Sequence, residues 1–508
     1  MIILEDFHMN SIDKQKFDLF TFIYFNDEDI YIKNITEYFL ISNTSATRYI
    51  RELNEDLTIF FKDNFIQIKK MNNIYQVENK TIKPVAYIID KIRLEYFKRT
   101  VQFRIIDALL TKKFQSIESL AIYLHISTPH LYKIIKKLNI ILNKFEISIS
   151  FRIEPRSSNF VSKKERNIRI FFCYYYWNIY KGIEWPFKKI KEPFLSNFKG
   201  SEFFTYSQIQ RFNYLISISK FRMYSRKQFV TLNEEAQKDL SPYKKVNDFG
   251  KVLNSDSFTI SEEISESEKN FFNFLIRFYI ADCDDSSQKI SIASKFLDSS
   301  TPLTIYTRQL LDHTLNTYKI NILKEKWLLS YYNLNTILLY QKYVGLDYTE
   351  WDRQRDGYAN TPSVNSALKK VEKNFISYYE STFKDIQPPF SVTDETVKYI
   401  AQYLFYLVDS NLEIAPVKIC IQYGRLFYLN NQIKHNINIL FQSKNIEYVD
   451  TPVNANLIIS DSYQGESQKA TYFYFYDIHD KNNWQSMFAV VEKLLYDKII
   501  MVFYYHIF

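Results

Sequence analysis

The sequence predicts a mainly α-helical, multidomain protein, with tandem winged helix-turn-helix units, two all-α helical-bundle domains and a small C-terminal α/β domain. Amphipathic stretches with apolar residues at spacings of three and four dominate the chain as far as residue 410. In two places such helices are followed by short alternating apolar segments, which are typical of β-hairpins. Beyond Pro416, short apolar strands alternate with helical segments, as in a small α/β domain.

Composition and charge describe a globular protein of several domains. The chain has 508 residues, a formal net charge of +8 and 46% hydrophobic residues, so any basic surface has to be local. Cys173, Cys283 and Cys420 lie more than a hundred residues apart, which argues against a disulfide framework or a thiolate metal site. The N-terminus lacks the basic start of a signal peptide, and no apolar run reaches membrane-spanning length. We therefore expect a cytoplasmic protein with no metal, no cofactor and no membrane partner.

Glycine spacing excludes several classes of nucleotide-dependent enzyme. All seven glycines follow residue 181, and the closest pair, Gly345 and Gly357, are twelve residues apart. Neither a dinucleotide-binding GxGxxG loop nor a Walker phosphate loop can form at that spacing. The zinc-protease HExxH and serine-hydrolase GxSxG sequences are absent as well. We expect no catalytic residues in this chain.

Residues 1–80 predict a first winged helix-turn-helix domain. Three helices over 12–57 are followed by alternating apolar residues at 65–79, which flank a predicted turn at Asn72 and Asn73. The polar side of the third helix and the hairpin supply these candidate contact residues: Thr44, Thr47, Arg48, Arg51, Lys69 and Lys70.

Residues 81–165 predict a second domain of the same kind. Helices over 116–125 and 128–142 are separated by a turn, and the segment 146–165 predicts strand, turn and strand. Thr128 is expected to cap the second helix, with Pro129 in its first turn. Opposite an apolar seam, that helix carries these candidate contact residues: Thr128, His130, Lys133, Lys136 and Lys137.

The charge of this second domain favours an acidic polymer as ligand. Residues 112–145 contain six lysines against one acid, Glu118. A solvated lysine side on an ordinary helical hairpin would give the same pattern, so charge alone leaves both interpretations open. The order of helix, turn, helix and hairpin, found twice, favours duplex DNA. Four further basic residues precede this segment, in helices predicted over 84–111: Lys91, Arg93, Lys98 and Arg99.

The rest of the chain predicts three more domains. The segments 166–292 and 293–412 both have apolar residues at helical spacing, and each predicts a helical bundle. Residues 413–508 predict the small α/β domain. Loops of the helical region are expected at 182–201, 239–262, 282–303 and 345–364.

The junction of the second winged domain and the helical region resembles a known family. The strand ISIS at 147–150, followed by KKERNIRIFFCYYYW at 163–177, is similar to the Mga/RofA-like family of virulence regulators of Gram-positive cocci. Glu165, Ile168 and Arg169 match the Glu-x-x-Ile-Arg element of the family. Ser162 stands near the position where the family usually has glycine.

The resemblance implies a DNA-binding transcriptional regulator, an activator of virulence or surface-adhesin genes that works as a homodimer or higher oligomer. The second winged domain is implied to be the more important one. The two helical bundles are implied to be phosphotransferase-system (PTS) regulation domains, and the C-terminal domain is implied to be similar to enzyme IIB. Promoter DNA, PTS phosphocarrier proteins and RNA polymerase are the implied partners.

Two residues could carry phosphate if the resemblance extends to regulation. None of the seven histidines falls in residues 166–292, which leaves His313, predicted on the solvent side of its helix, as the regulatory phosphorylation candidate. A surface histidine without a role would give the same sequence. Cys420 lies inside a predicted strand instead of the following loop, which favours a buried core residue over a phosphocysteine.

Two other functions stay open at this stage. An RNA-binding transcriptional antiterminator could carry the same regulatory domains. Its RNA-binding part is typically a small β module, whereas helix-rich segments fill about 165 residues here. A phosphoryl-transfer enzyme would need a reactive cysteine or histidine in the C-terminal domain.

Overall fold

The chain forms two compact units, Met1–Thr301 with Thr336–Asn360, and Pro302–Asn335 with Thr361–Phe508. The fold class predicted from the sequence is confirmed, because the chain is mainly α-helical and has a small parallel sheet near its C-terminus. The division into five domains stays a prediction. The computed structural model describes residues 9–26, 28–61, 66–151, 159–187, 204–254, 261–346, 376–382, 386–411, 415–424, 428–441, 443–462 and 470–507.

The first unit opens with three helices and a β-hairpin, which we call the first winged module. Its elements are α1 Ser11–Phe25, α2 Ile32–Phe39, α3 Asn43–Phe61, β1 Ile66–Met71 and β2 Ile74–Asn79. The strands pair antiparallel with Met71 opposite Ile74, so Asn72 and Asn73 form a two-residue turn, as predicted. Both have positive φ, 51° and 68°, as a twist-matched two-residue hairpin requires and asparagine tolerates.

Residues of α3 at helical spacing determine which side of that helix is buried. Ala46, Ile50, Leu53 and Leu57 are buried and lie on one side, because three or four residues complete one turn. They pack with buried aromatic and aliphatic side chains of α1 and α2. The opposite, polar side of α3 is therefore left facing solvent.

Four helices and a shorter hairpin follow. They are α4 Val85–Arg99, α5 Val101–Thr111, α6 Ile117–Leu124, α7 Thr128–Leu142, β3 Ser148–Ile149 and β4 Phe160–Val161. We call α5 to β4 the second winged module. Its hairpin has two paired residues per strand, and the turn predicted between the strands falls on residues 152–158, outside the described residues. The prediction that Thr128 caps α7 is wrong: Ser127 is the N-cap residue, and Thr128 is the first helical residue.

Five further α-helices are described in the first unit before residue 302. They are α8 Glu165–Tyr180, α9 Tyr206–Lys220, α10 Glu234–Lys244, α11 Glu262–Tyr279 and α12 Ser286–Ser299. Helix α12 falls inside the loop predicted at 282–303, so that loop prediction is wrong. The segment is rich in serine, which is more typical of a loop. It is nevertheless helical, because Asp285 and Gln288 form a capping box and Ile292 and Phe296 are buried.

The Glu-x-x-Ile-Arg element forms a buried ion network that joins three segments of the first unit. Arg169 of α8 donates to both carboxylate oxygens of Glu268 of α11, at 2.5 and 2.7 Å. Arg222, just after α9, donates to both oxygens of Glu165, at 2.8 and 2.5 Å, and Arg169 also contacts Glu165 at 3.2 Å. The side chains of Arg169 and Glu268 are 1% and 0% exposed, so each charge depends on its partner for stabilisation.

The second unit contains helices and a parallel sheet. Its helical part includes α13 Pro302–Thr317, the first residues of α14 Lys324–Tyr343, a helical segment at 376–382 and α15 Asp394–Asp409. The C-terminal part contains β5 Val417–Gln422, α16 Leu429–Leu440, β6 Ile446–Tyr448, β7 Leu457–Ser460, β8 Thr471–Tyr474 and α17 Lys481–Ile507. The strands are all parallel, in the order β6-β5-β7-β8. Apolar side chains of α16 and α17 pack with those of the strands in one hydrophobic core. Within the described ranges, no helix combines the length and apolar character needed to cross a bilayer.

Replacing Glu268 by Ala should destabilise the first unit by ~3–5 kcal/mol, because the Arg169 guanidinium would stay buried without its carboxylate partner. Thermal unfolding would detect the loss, and amide hydrogen exchange should speed up in α8 and α11. Glu266→Ala is the matched control. Glu266 pairs with Lys244 at 2.5 Å, but both side chains are about a third exposed, so its loss should cost below ~1 kcal/mol. Equal effects of the two substitutions would contradict the role given to the network.

Candidate nucleic-acid interface

The two winged modules repeat the same local geometry at a constant step along the chain. Helices α2 and α6 are each eight residues long, and each is followed by a residue with left-handed backbone, Leu40 and His125. After two more residues the second helix of each pair begins, at Asn43 and Thr128. Corresponding positions are 85 residues apart. We call α3 and α7 the recognition helices.

An asparagine on each recognition helix holds the first strand of the hairpin that follows it. In the first module, Asn54 accepts a hydrogen bond from the Ile68 N–H at 2.7 Å and donates to the Ile68 carbonyl at 3.0 Å. In the second, Asn139 accepts from the Ile149 N–H at 2.7 Å and donates to its carbonyl at 3.4 Å. Asn54 and Asn139 occupy equivalent positions, so the two helices can be aligned residue by residue.

Each hairpin is also hydrogen-bonded to the segment that precedes the first helix of its helix-turn-helix pair, α2 in the first module and α6 in the second. In the first module the Tyr75 N–H donates to the Ile30 carbonyl at 2.7 Å. In the second, the buried Asn159 side chain accepts from the Phe114 N–H and donates to the Phe114 carbonyl, both at 2.9 Å. Hydrogen bonds therefore join the helix pair and the hairpin within each module.

The second recognition helix, α7, presents its basic residues to solvent. Leu131, Ile134, Ile135, Leu138 and Leu142 are buried, as the apolar seam predicts. On the other side, Thr128 is half-buried and the remaining four predicted contact residues are exposed: His130, Lys133, Lys136 and Lys137. No carboxylate of the described residues lies within ion-pair distance of the three lysines. Their positive charge is therefore available to an external anion.

Tyr132 joins this exposed surface, although sequence reasoning did not select it. It is 64% exposed and lies one residue before Lys133 and one turn before Lys136. A tyrosine hydroxyl can donate to a phosphate, and its ring can contact a sugar or base. The signal was present in the sequence, because a residue four positions from Lys136 shares its side of a helix.

The first recognition helix, α3, also exposes its predicted contact residues, but its cations have carboxylate neighbours. Thr44, Thr47, Arg48 and Arg51 are all exposed. The Arg48 Nε lies 3.8 Å from Glu52, and the Arg51 Nε lies 3.8 Å from Glu55. Ion pairs between residues four apart at this exposure are weak, so the arginines can turn toward another partner.

The two lysines of the first hairpin differ in their surroundings. Lys69 contacts Glu78 at 2.8 Å, and hydrogen bonding from Lys69 lowers the pKa of the Glu78 carboxyl, so the Lys69 charge is compensated within the hairpin. Lys70 is exposed, with its ammonium 5.8 Å from the Tyr75 ring centroid. A groove of about 450 Å³ runs between α3 and the hairpin. Its lining includes Thr47, Arg51, Asn54 and Lys70.

The basic cluster noted in α4 is engaged inside the protein. Lys91 and Lys98 both bind Glu95 and Glu184, Arg93 contacts Asp90 at 2.9 Å, and Arg99 contacts Asp56 at 2.7 Å. These side chains join α4 to the end of α8 and to α3. The cluster that looked basic in the sequence is therefore a structural ion-pair network.

The two phosphorylation candidates have different environments in the second unit. His313 is half-buried on α13, and its ring lies parallel to that of Tyr378, with centroids 6.4 Å apart. Cys420 is buried in β5, and burial raises the pKa of its thiol. A buried thiol with a raised pKa is a poor nucleophile, which is the behaviour of a core residue.

Asp56 anchors the first recognition helix to its neighbours. Its carboxylate accepts from Lys16 of α1 at 2.6 Å, from Tyr96 of α4 at 3.0 Å and from Arg99 at 2.7 Å. Burial by itself raises the pKa of Asp56, but hydrogen bonds from Lys16 and Arg99 outweigh burial, so the pKa is lowered overall. Asp56 is buried whereas Arg48 and Arg51 are exposed, so this anchoring leaves both arginines accessible to solvent.

The fold and these exposed side chains define the class of the protein, a tandem helix-turn-helix protein that binds DNA. Residues 88–176 match the family described as "Mga helix-turn-helix domain". The resemblance to the Mga-like regulators inferred from the sequence is confirmed by this match.

Curated relatives are similar over different shares of the chain. The "Anthrax toxin expression trans-acting positive regulator" of Bacillus anthracis is 22% identical over 439 residues, 84% of this chain and 82% of the relative. The "Capsule synthesis positive regulator AcpB" of Bacillus anthracis is 27% identical over 28% of this chain and 27% of the relative. A "Putative trans-acting regulator" of Streptococcus pneumoniae serotype 4 is 29% identical over 21% of each chain.

Asp56→Asn should destabilise the first unit in a pH-dependent way. Because the folded-state pKa of Asp56 lies below its unfolded value of about 3.9, its stabilisation is complete above that pH and is lost as pH falls through the folded pKa. The difference in unfolding free energy between wild type and variant should be constant between about pH 5 and 8 and shrink below about pH 4. Urea unfolding across this range, with Glu55→Gln as an exposed control, measures it. A difference that stays constant into acid would contradict the assignment.

Proposed function

We propose that this protein is a transcriptional activator that binds promoter DNA through both winged modules. The observation that carries the proposal is the pair of equivalent recognition helices, each with a buried aliphatic side and an exposed polar side. On α7 that exposed side carries three lysines, Lys133, Lys136 and Lys137, and phosphate contacts by such lysines would supply salt-dependent affinity. Thr44, Thr47, Arg48, Arg51, Lys70 and His130 are then candidates for base edges or neighbouring phosphates.

The proposed target genes are virulence or surface-adhesin genes. Two relatives carry the words "positive regulator" in their names, one for anthrax toxin expression and one for capsule synthesis. The first of them is similar over most of both chains, which supports activation, and not repression, as the activity of this protein. We further propose that it works in the cytoplasm, as a homodimer or higher oligomer, together with RNA polymerase.

The domains that follow the winged modules are proposed to receive the signal. We propose PTS-regulation-like bundles at 166–292 and 293–412, and an enzyme IIB-like domain at 413–508. The parallel order β6-β5-β7-β8 is consistent with a small α/β domain of that kind. Because Cys420 is buried within β5, we propose that this domain serves assembly and does not transfer phosphate.

His313 is the proposed regulatory phosphorylation site, with PTS phosphocarrier proteins as donors. It is half-buried on α13, near the Tyr378 ring and one turn before Thr317. A phosphate there would add up to about two negative charges. Asp312, the preceding residue, is an acid that would repel that charge, so phosphorylation would disturb the packing around α13.

Changing Lys133, Lys136 and Lys137 together to Ala should weaken binding to duplex DNA and flatten its salt dependence. Each lost phosphate contact should remove roughly 0.9 from the slope of log affinity against log salt concentration. Fluorescence anisotropy with a promoter-length duplex, repeated over a salt series, measures both quantities. A matched triple, Lys295, Lys324 and Lys326 to Ala, removes three exposed lysines outside the winged modules and should change neither.

Unchanged affinity and slope in the α7 variant would contradict the DNA-binding surface. The same titrations with RNA hairpins separate activation from antitermination. Stronger binding to hairpins than to duplex DNA would favour an RNA-binding antiterminator instead.

His313→Ala should remove the response of transcription to sugar supply, because no phosphate could then be added at that position. Reporter expression in cells grown with and without a PTS sugar measures the response, and Asn316→Ala, an exposed change on the same helix, is the control. A response identical to wild type would rule out His313 as the regulatory site.

A further inference from the structure

The two recognition helices differ at equivalent positions in a way that alters their electrostatics. Aligned through Asn54 and Asn139, Arg48 corresponds to Lys133, Arg51 to Lys136, and Glu52 to Lys137. Helix α3 carries two arginines and three acids, whereas α7 carries three lysines and no acid. Asp56 is buried and compensated by Lys16 and Arg99. Without it, the net charges of the helices are 0 for α3 and +3 for α7, and they point to different kinds of contact.

A helix with the composition of α7 suits non-specific phosphate binding. Lysine ammonium groups are flexible point charges that meet a phosphate from many directions. The three lysines of α7 are exposed, and no acid on that helix competes with DNA for them. Each such contact releases a counterion and strengthens binding to every sequence equally.

A helix with the composition of α3 suits sequence-specific contact with base edges. Arginine has a planar, forked guanidinium that can bind the O6 and N7 atoms of guanine with two hydrogen bonds. The Arg48 and Arg51 side chains are 53% and 71% exposed, and Glu52 and Glu55 lie 3.8 Å away. These acids repel phosphate in general, so α3 gains little from non-specific contact. Arg51 also lines the groove between α3 and the hairpin, beside Thr47 and Lys70.

We propose that the two modules divide the DNA contacts: α7 anchors the phosphate backbone with Lys133 and Lys136, and α3 reads base edges with Arg48 and Arg51. The proposal rests on the DNA-binding function proposed above and goes beyond it by assigning sequence discrimination to the first module. Glu52 and Glu55 then act as positioning residues, since they suppress non-specific attraction and hold the guanidinium groups until a base replaces them.

The test uses the full chain and a duplex obtained from a randomised pool by repeated selection with the wild-type protein. Affinities for this duplex and for a scrambled duplex of equal composition give a discrimination ratio, and a salt series gives the slope. Substitutions that keep the charge separate base reading from phosphate binding. Arg48→Lys with Arg51→Lys keeps both positive charges but removes the forked guanidinium donors. Lys133→Arg with Lys136→Arg is the matched change in α7.

The arginine-to-lysine pair should lower the discrimination ratio at least about tenfold and leave the slope unchanged, since one lost bidentate base contact reduces discrimination by about that factor. The lysine-to-arginine pair should leave both quantities unchanged. Lys133→Ala with Lys136→Ala should weaken binding to both duplexes equally and reduce the slope by roughly 1.8. Glu52→Lys, which gives α3 the residue that α7 has at the equivalent position, should raise affinity for the scrambled duplex and steepen the slope.

Two results would overturn the division of contacts. One is a discrimination ratio equal to that of the wild-type protein in the variant with Arg48→Lys and Arg51→Lys. The other is a ratio that collapses when Lys133 and Lys136 become Ala. Circular dichroism and thermal unfolding check that each variant is folded, which is expected because all four side chains are exposed. Failure of the wild-type protein to select any duplex from the pool would instead overturn the proposed function itself.

Discussion

A hydrogen-bonded asparagine in each winged module is the constraint on which the proposed DNA-binding surface depends. The side-chain amide supplies one donor and one acceptor, which is what an unpaired residue on a strand edge needs. Asn54 and Asn139 use both on a single residue of the following strand, Ile68 and Ile149. Without this bond, the recognition helix would contact the hairpin mainly through apolar packing, which has no directional preference. The hairpin could then move relative to the side chains that we propose contact DNA.

Pairing inside the fold decides which positive charges remain available. Lys91, Lys98 and Arg99 neutralise acids within the first unit, and Lys69 is compensated by Glu78. The lysines of α7 instead lie on a helix without acids. A net charge of +8 for the whole chain is therefore a poor guide to its interface. A phosphate backbone is attracted by the local positive charge that remains after ion pairs within the protein are taken into account.

The Glu-x-x-Ile-Arg element connects the winged modules to the helices that follow. Glu165 and Arg169 stand at the start of α8, directly after the second hairpin, and bind Arg222 and Glu268 from later in the chain. Asn167, between them, donates to the carbonyl of Phe145 at 3.1 Å, in the short 3-10 helix that directly follows the second recognition helix. A change of packing among the later helices would therefore reach α7 through the same few residues. This path would give the proposed regulatory signal a physical route to the second recognition helix.

The sequence by itself determined the recognition helices and the first hairpin with its asparagine turn, because apolar periodicity and turn chemistry are local properties. The motif at 163–177 was enough to indicate the resemblance to the Mga-like regulators. The predicted helix over 128–142 has the bounds found in the structure. Helix α12 was missed, since few of its residues are apolar and its capping carries the signal. Only the tertiary structure decided which basic residues are compensated and how the hairpins are held. Lys91 meets Glu184 across 93 positions and Arg99 meets Asp56 across 43, and no local pattern encodes a contact between residues so far apart in the chain.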